Sequence, residues 1–328
     1  MLNYLNHLPT YYHGPMLGAA KLESVESDSD WDSFCTLSKQ NTFFSKSGFY
    51  NDLGITNQRY FLINNKEVLA AIALTYNENG NPEVGSKGGL YQGILLSERV
   101  QKSEILTSEV LQIVFSLLLK KQISFDLGLH PTITDIRAIN WINQSGDYSE
   151  KLKIRVRYTG IIDFSLYTTP NDFLKSLRKS RRDEIVKTEL VISKSTDVKA
   201  FLKLYQASFF AKGVNLSKSK SDELFDIFKF AVAHPGGELL LAHSNKVNDP
   251  ISGIITVTEA STIYYWFSAT LPEHKSLGAN SALVFSAIES AMNSGIMKFD
   301  SCGLNSKEIG FFKSSFQAKA TPAYEIYS

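Results

Sequence analysis

The chain has 328 residues, enough for two domains of ordinary size that each bury a core. With 34 Lys and Arg against 33 Asp and Glu, its net charge of +1 excludes bulk attraction to nucleic acid or membrane and leaves room only for local patches. An apolar content of 43% with 12% aromatic residues excludes a disordered chain. Cys35 and Cys302 lie far apart without Cys or His partners at metal spacing, so neither a disulfide framework nor a metal site is expected. No basic, apolar leader opens the chain, and the longest apolar stretch, 110–119, is shorter than the roughly 20 residues that span a bilayer. A soluble cytoplasmic protein without a membrane partner is the expectation.

In chain order, the first half predicts strands at 59–63, 68–75 and 90–95, a helix over 108–121, a strand at 124–129, a helix over 135–142 and a strand at 154–158. The second half opens with a strand at 161–166. Thr169-Pro170-Asn171-Asp172 then supplies a cap, a first-position proline and an acid for a helix running to about Glu189. Helical patterns follow at 198–211 and 222–233, and strands at 238–243, 251–258 and 262–269. Apolar residues Leu283, Val284, Ala287, Ile288 and Ala291 mark the next helix, with Gly295 as its stop. A short strand at 297–300, a helix over 308–314 and a strand at 323–327 complete the chain. Both halves read β-β-β-α-β-α-β, with corresponding elements about 170–185 residues apart, so one domain is duplicated.

The copies differ at one turn. In the second, the aromatic strand ends in Lys275-Ser276-Leu277-Gly278-Ala279-Asn280-Ser281 and a helix begins. First-turn amides have no intrahelical acceptor, and the helix dipole favours an anion there, so this turn is a candidate pyrophosphate cradle. The matching stretch of the first copy, 96–107, has no glycine at all.

The segment Lys275 to Asn280 resembles the Arg/Gln-x-x-Gly-x-Gly/Ala pyrophosphate loop of GNAT acyltransferases. Ile309-Gly310-Phe311-Phe312-Lys313-Ser314-Ser315-Phe316-Gln317 resembles the Phe-Lys-x-x-Phe-Gly segment of FemABX-like tandem GNAT proteins. The duplication and the basic segment 177–185 are similar to that second group as well. Three residues depart from these patterns: Asn280 replaces Gly or Ala, Phe312 the tyrosine acid of many GNAT enzymes, and Gln317 the Fem glycine. The resemblance implies an α/β (α+β) fold of two tandem GNAT-like domains, each a mixed sheet flanked by helices. Residues 1–159 would form a domain without a recognisable CoA loop, and 160–328 the domain that binds acyl-CoA. It further implies a monomer, because two fused copies supply what single domains obtain by dimerising.

The implied chemistry asks for alignment of an amine, its deprotonation and donors for the oxyanion. Acyl-CoA would be a co-substrate, with no cofactor bound permanently. Main-chain groups of Phe267, Ser268 and Ala269 map to the oxyanion position, and Lys275, Ser276, Leu277, Gly278, Ala279, Asn280 and Ser281 to the cradle, with Asn305 and Phe312 beside it. Asp300 is the candidate base, ahead of His274 and Glu308, and Lys313 is placed near the acyl carbonyl. Cys302 has no histidine at an informative position, which argues against covalent catalysis. For the acceptor, Arg178, Arg181 and Arg182 offer forks suited to a diphosphate, Tyr264 and Trp266 faces for a base or sugar, and His130 borders the cleft between copies. The chain looks like nucleotide-linked amino-dideoxyhexose N-acyltransferases. They move a short or hydroxylated acyl group, such as hydroxybutyryl, to a dTDP- or UDP-linked amino sugar for surface polysaccharide, without a nucleic-acid partner. Fem-type aminoacyl transfer from tRNA to a peptidoglycan precursor, and a non-catalytic acyl-binding scaffold, are the other readings.

Overall fold

The computed structural model describes residues 20–149, 151–244 and 247–328. The reading of the extreme amino terminus lies outside them. The first half comprises β1 (Lys21–Ser24), α1 (Asp28–Leu37), α2 (Ser47–Asp52), β2 (Thr56–Asn64), β3 (Glu67–Tyr76), β4 (Ile94–Leu96), α3 (Glu98–Gln101), α4 (Glu104–Lys120), β5 (Asp126–Gly128) and α5 (Arg137–Ser145). β6 (Lys153–Asp163) leads to α6 (Pro170–Ser176), α7 (Lys179–Val186), β7 (Leu190–Ser195), α8 (Val198–Phe210) and α9 (Lys218–Ala233). Then come β8 (Gly237–Ser244), β9 (Val247–Glu259), β10 (Thr262–Thr270), α10 (Ala279–Asn293), β11 (Lys298–Asp300), α11 (Lys307–Ser314) and β12 (Lys319–Tyr327). The repeated order is visible as β2-β3-β4-α4-β5-α5-β6 against β8-β9-β10-α10-β11-α11-β12.

The strands form two sheets, one ordered β1-β2-β3-β4 and one ordered β5-β12-β6-β11-β10-β9-β8-β7. Where the alternation predicts two strands, at 154–158 and 161–166, the structure has the single strand β6. Gly160 interrupts the pattern because a Cβ there would stand 2.7 Å from the Ser301 hydroxyl and 2.9 Å from the Ala318 Cβ. The boundary at 159/160 falls within this strand, and β12 pairs with both β6 and β5. The predicted helix over 170–189 is two helices, α6 and α7, because Leu177 takes an extended backbone with ψ 152°. Residues 90–93 of the predicted strand at 90–95 are a loop.

Three clusters make up the core. One lies between the first sheet and α4 with α5, another between the large sheet and α10. The third joins the halves: Phe43, Phe44 and Phe49 meet Tyr264 and Trp266 of β10, with ring centroids 4.9 Å apart for Phe43 and Trp266. Aromatic pairs of this kind contribute about 0.5–1.5 kcal/mol each beyond their burial.

Candidate active site

The geometry of the site begins with a bulge. β10 and β11 run parallel and pair only from Thr262 with Lys298 to Tyr264 with Asp300. An extra residue between Tyr265 and Phe267 shifts the register against β9, so Trp266 and Phe267 both pack into the cluster joining the halves. From Tyr265 on, β10 has no β11 residue opposite it. This open edge carries Phe267, Ser268 and Ala269, the residues placed at the oxyanion position.

Tyr265 points into the core under the large sheet. Its hydroxyl donates to Asn280 Oδ1 at 3.2 Å and stands beside the Ser268 hydroxyl. Lys313 reaches the same ring, its ammonium 5.2 Å from the centroid. That ammonium donates to the carbonyls of Ser301 and of Gly303, the latter at 3.0 Å, and burial holds its pKa below the ordinary lysine value. Lys313 therefore fixes the turn after β11, in which Cys302 takes a φ of 56°.

Asp300 ends β11 and is 2% exposed. One carboxylate oxygen accepts from the Thr159 hydroxyl and from the Cys302 N–H at 2.8 Å, the other from the Tyr91 hydroxyl at 3.1 Å. Burial raises its pKa, and these three donors oppose the rise. Tyr91 and Thr159 come from outside the second-copy motifs, and neither was singled out in the sequence. The glycines Gly85, Gly88, Gly89 and Gly93 around Tyr91 were the available signal of a special loop there.

Between the halves lies a cleft of about 480 Å³, lined by Tyr91, Arg155, Arg157, Thr159, Cys302 and Tyr324, among others. Arg155 and Arg157 both reach Glu325, at 2.7 and 3.2 Å. Asn305 lines the cleft while bonding both backbone groups of Tyr158, at 2.9 and 3.3 Å. His130 is half-buried, stacks edge-on to Tyr91 at 5.3 Å and bonds Thr132; burial lowers its pKa to about 3.

The pyrophosphate turn differs from its expected role. Gly278 does adopt φ 70°, but a Cβ there would stand 2.8 Å from the carbonyl oxygen of Glu184, so the glycine is needed for helix packing. The Glu184 carboxylate accepts from the Ser281 hydroxyl at 2.7 Å and from Arg181, covering the first turn of α10. The α7 backbone and a carboxylate already occupy the approach to the cradle. A second cavity of about 510 Å³ beside it is lined by Ser276 and Leu277 but also by Asp183, Glu184, Glu189 and Glu273. Ala279 is buried, Lys275 is exposed, His274 lines this second cavity, and Glu308 is exposed on α11.

Several of the acceptor candidates are engaged within the protein itself. Arg181 is 5% exposed, bonds Ser315 at 2.8 Å as well as Glu184 and Ser281, and lies over the rings of Phe312 and Phe316 at 4.7 and 5.0 Å. Its fork is committed to the protein, and so is the Phe312 ring. Arg182 donates to the carbonyls of Lys175 and Leu177 at 2.8 and 2.7 Å, closing the end of α6. Tyr264 and Trp266 are spent in the shared core, and the Trp266 indole donates to the Gly88 carbonyl at 2.8 Å. Arg178 alone of the three arginines projects into solvent.

Residues 171–312 match the family model described as the acetyltransferase (GNAT) domain. No curated protein matches the chain in sequence. In structure the chain is similar to FemX, at 12% identity with a TM-score of 0.63, covering 93% of this chain and 96% of that one. It is also similar to an acetyltransferase of the GNAT family from Colwellia psychrerythraea, at 9% identity with a TM-score of 0.53, covering 94% and 98%. A tandem GNAT protein from the clavulanic acid biosynthesis pathway is matched at 9% identity with a TM-score of 0.51, over 94% and 98%. The mixed α/β architecture is thus GNAT-like over nearly the whole chain. Among the described residues no helix is long and apolar enough to cross a membrane.

Proposed function

We propose that the chain is an N-acyltransferase that moves an acyl group from acyl-CoA to the amine of a nucleotide-linked amino sugar seated in the cleft. The observation that carries the reading is that β10–β11 pairing stops at Asp300, leaving the β10 edge beyond it without a β11 partner, while Tyr91, Thr159 and Cys302, which bond Asp300, line the cleft. A carbonyl laid along Phe267–Ala269 would meet main-chain donors there, and an amine entering from the cleft would meet the hydroxyls that bond Asp300. The cleft volume, about 480 Å³, is that of a small-ligand site. Tyr158 and Tyr324 supply faces for a sugar, and Arg157 a cation for a phosphate. In this reading the phosphate contact falls to Arg157 of the cleft wall, with Arg178, exposed at the start of α7, kept as a further candidate. The product of such a reaction would belong to surface polysaccharide synthesis, and the protein would act as a cytoplasmic monomer with its two domains divided near residue 160.

The carboxylate of Glu184 at α10 supports a second reading. A donor without a pyrophosphate, such as aminoacyl-tRNA used in Fem-type transfer to a peptidoglycan precursor, needs no anion cradle there. The deciding experiment incubates the full chain with acyl-CoAs and amino-sugar nucleotides while following thiol release, and in parallel with aminoacyl-tRNA and a UDP-linked muropeptide. Thiol release dependent on the amino sugar is the expected result. Transfer from tRNA alone would replace it with the second reading, and CoA binding without turnover in any pairing with a scaffold.

A further inference from the structure

Asp300 does not line the cleft, although Tyr91, Thr159 and Cys302, which bond it, all do. The carboxylate is buried behind the residues that bond it, so an amine in the cleft meets those residues first. Tyr91, 6% exposed, both lines the cleft and donates its hydroxyl to Asp300. It is held by a loop in which Gly85, Lys87, Gly88 and Tyr91 all take left-handed backbone angles, with φ of 75°, 53°, 77° and 58°. A bulky residue at positive φ is strained and persists only where its surroundings over-determine it, as they do at functional sites. The loop is pinned at Gly88 by the Trp266 indole, at Gly93 by a 2.9 Å bond from its N–H to the Gly128 carbonyl, and at the Tyr91 ring by His130. A strained residue of the first half is thereby aimed at a carboxylate of the second. Thr159 is the other hydroxyl on Asp300, but its oxygen already accepts the Gly303 N–H at 3.3 Å.

We infer that Tyr91 relays a proton from the amine in the cleft to Asp300, an inference that rests on the acyl-transfer reading above. The acceptor arrives as an ammonium. One N–H proton passes to the Tyr91 oxygen as the phenolic proton passes to Asp300 Oδ2, leaving a neutral amine, an intact tyrosine and a protonated carboxyl. The amine then forms the C–N bond, the C–S bond breaks, and a second N–H proton leaves with the thiolate. The third stays on the amide, and Asp300 returns its proton to solvent by the same path. No phenolate forms, in keeping with the raised pKa of Tyr91, caused by burial and then by the Asp300 charge. The titratable groups facing Asp300 are Tyr91 from the loop, Tyr264 from β10, Cys302 from the following turn and Lys313 from α11.

The test uses the full chain as wild type, Tyr91→Phe, Asp300→Asn, the double variant and Thr159→Val. In kinetics, Tyr91→Phe should lower kcat/KM at least tenfold below the pKa of the amine and leave binding of the acyl donor unchanged. The double variant should be no slower than Asp300→Asn. A wild-type pH profile in Tyr91→Phe, or losses that multiply in the double variant, would overturn the relay while leaving acyl transfer standing. Infrared difference spectroscopy needs no turnover. Methylamine hydrochloride should increase the protonated-carboxyl band in wild type and Thr159→Val, and not in Tyr91→Phe or Asp300→Asn. A band that fails to respond in wild type, or responds in Tyr91→Phe, would also overturn it. Absence of turnover for the wild type with every donor and amine would sink the acyl-transfer reading instead.

Discussion

The turns that lead into α4 and α10 hold the same place in the two copies, yet their helix ends are satisfied in opposite ways. At α4 the cap is local: the Ser103 hydroxyl accepts from the Leu106 N–H at 3.2 Å, one of the donors that a helix start leaves over. At α10 the capping position is Gly278, which has no side chain, and the first turn is covered from α7 by Glu184. The local cap belongs to the chain that enters its own helix and satisfies a first-turn amide directly. A carboxylate on a neighbouring helix can be withdrawn with both helices intact. In the proposed acyl-CoA reading, the second turn is the one at which a ligand would replace Glu184.

The largest expected effect breaks the comparison at Gly278. Gly278→Val places a branched side chain at φ 70° and 2.8 Å from the Glu184 carbonyl, so α7 must move or the turn must change shape. A loss of about 2–3 kcal/mol in denaturant unfolding is expected from backbone strain and overpacking together. A loss below about 0.5 kcal/mol would mean that α7 does not rest on this turn.

Next in size is the exchange itself. Glu184→Gln keeps the shape of the side chain and removes the negative charge from the place where a pyrophosphate would sit. If acyl-CoA is the donor, calorimetry should show CoA binding about tenfold tighter than in wild type, the relief of one like-charge contact near a protein surface. Equal affinities would show that pyrophosphate does not meet Glu184. Binding to neither protein would favour a donor of the Fem type.

The repeat was legible in the sequence because it depends on local periodicity, and the Gly278 turn because a glycine before a helix pattern is a local signal. Thr169, Pro170 and Asp172 announced the start of α6 in the same way. What stayed hidden depends on distant contacts. Arg181 looks like one cation of a solvated face, but its guanidinium enters a site built by Ser281, Ser315, Phe312 and Phe316 from across the fold. Tyr264 and Trp266 read as a platform because nothing local to β10 reveals that Phe43, Phe44 and Phe49 cover them. Asp300 could be picked as a carboxylate ending a strand. Tyr91, 209 positions away, could not be joined to it.

The smallest expected effect sharpens the comparison from the other side. Ser103→Ala removes the local cap of α4 and leaves one first-turn amide to water, a change of about 1 kcal/mol in typical helices. Ser103 is not part of the cleft lining, and the Thr107 hydroxyl keeps its own bond to the Val100 carbonyl at 3.0 Å. The variant should therefore unfold slightly earlier and bind CoA as wild type does. A change in CoA affinity would show that the first copy's turn also serves the donor. The two ends would then differ in the residues that cover them and share one ligand.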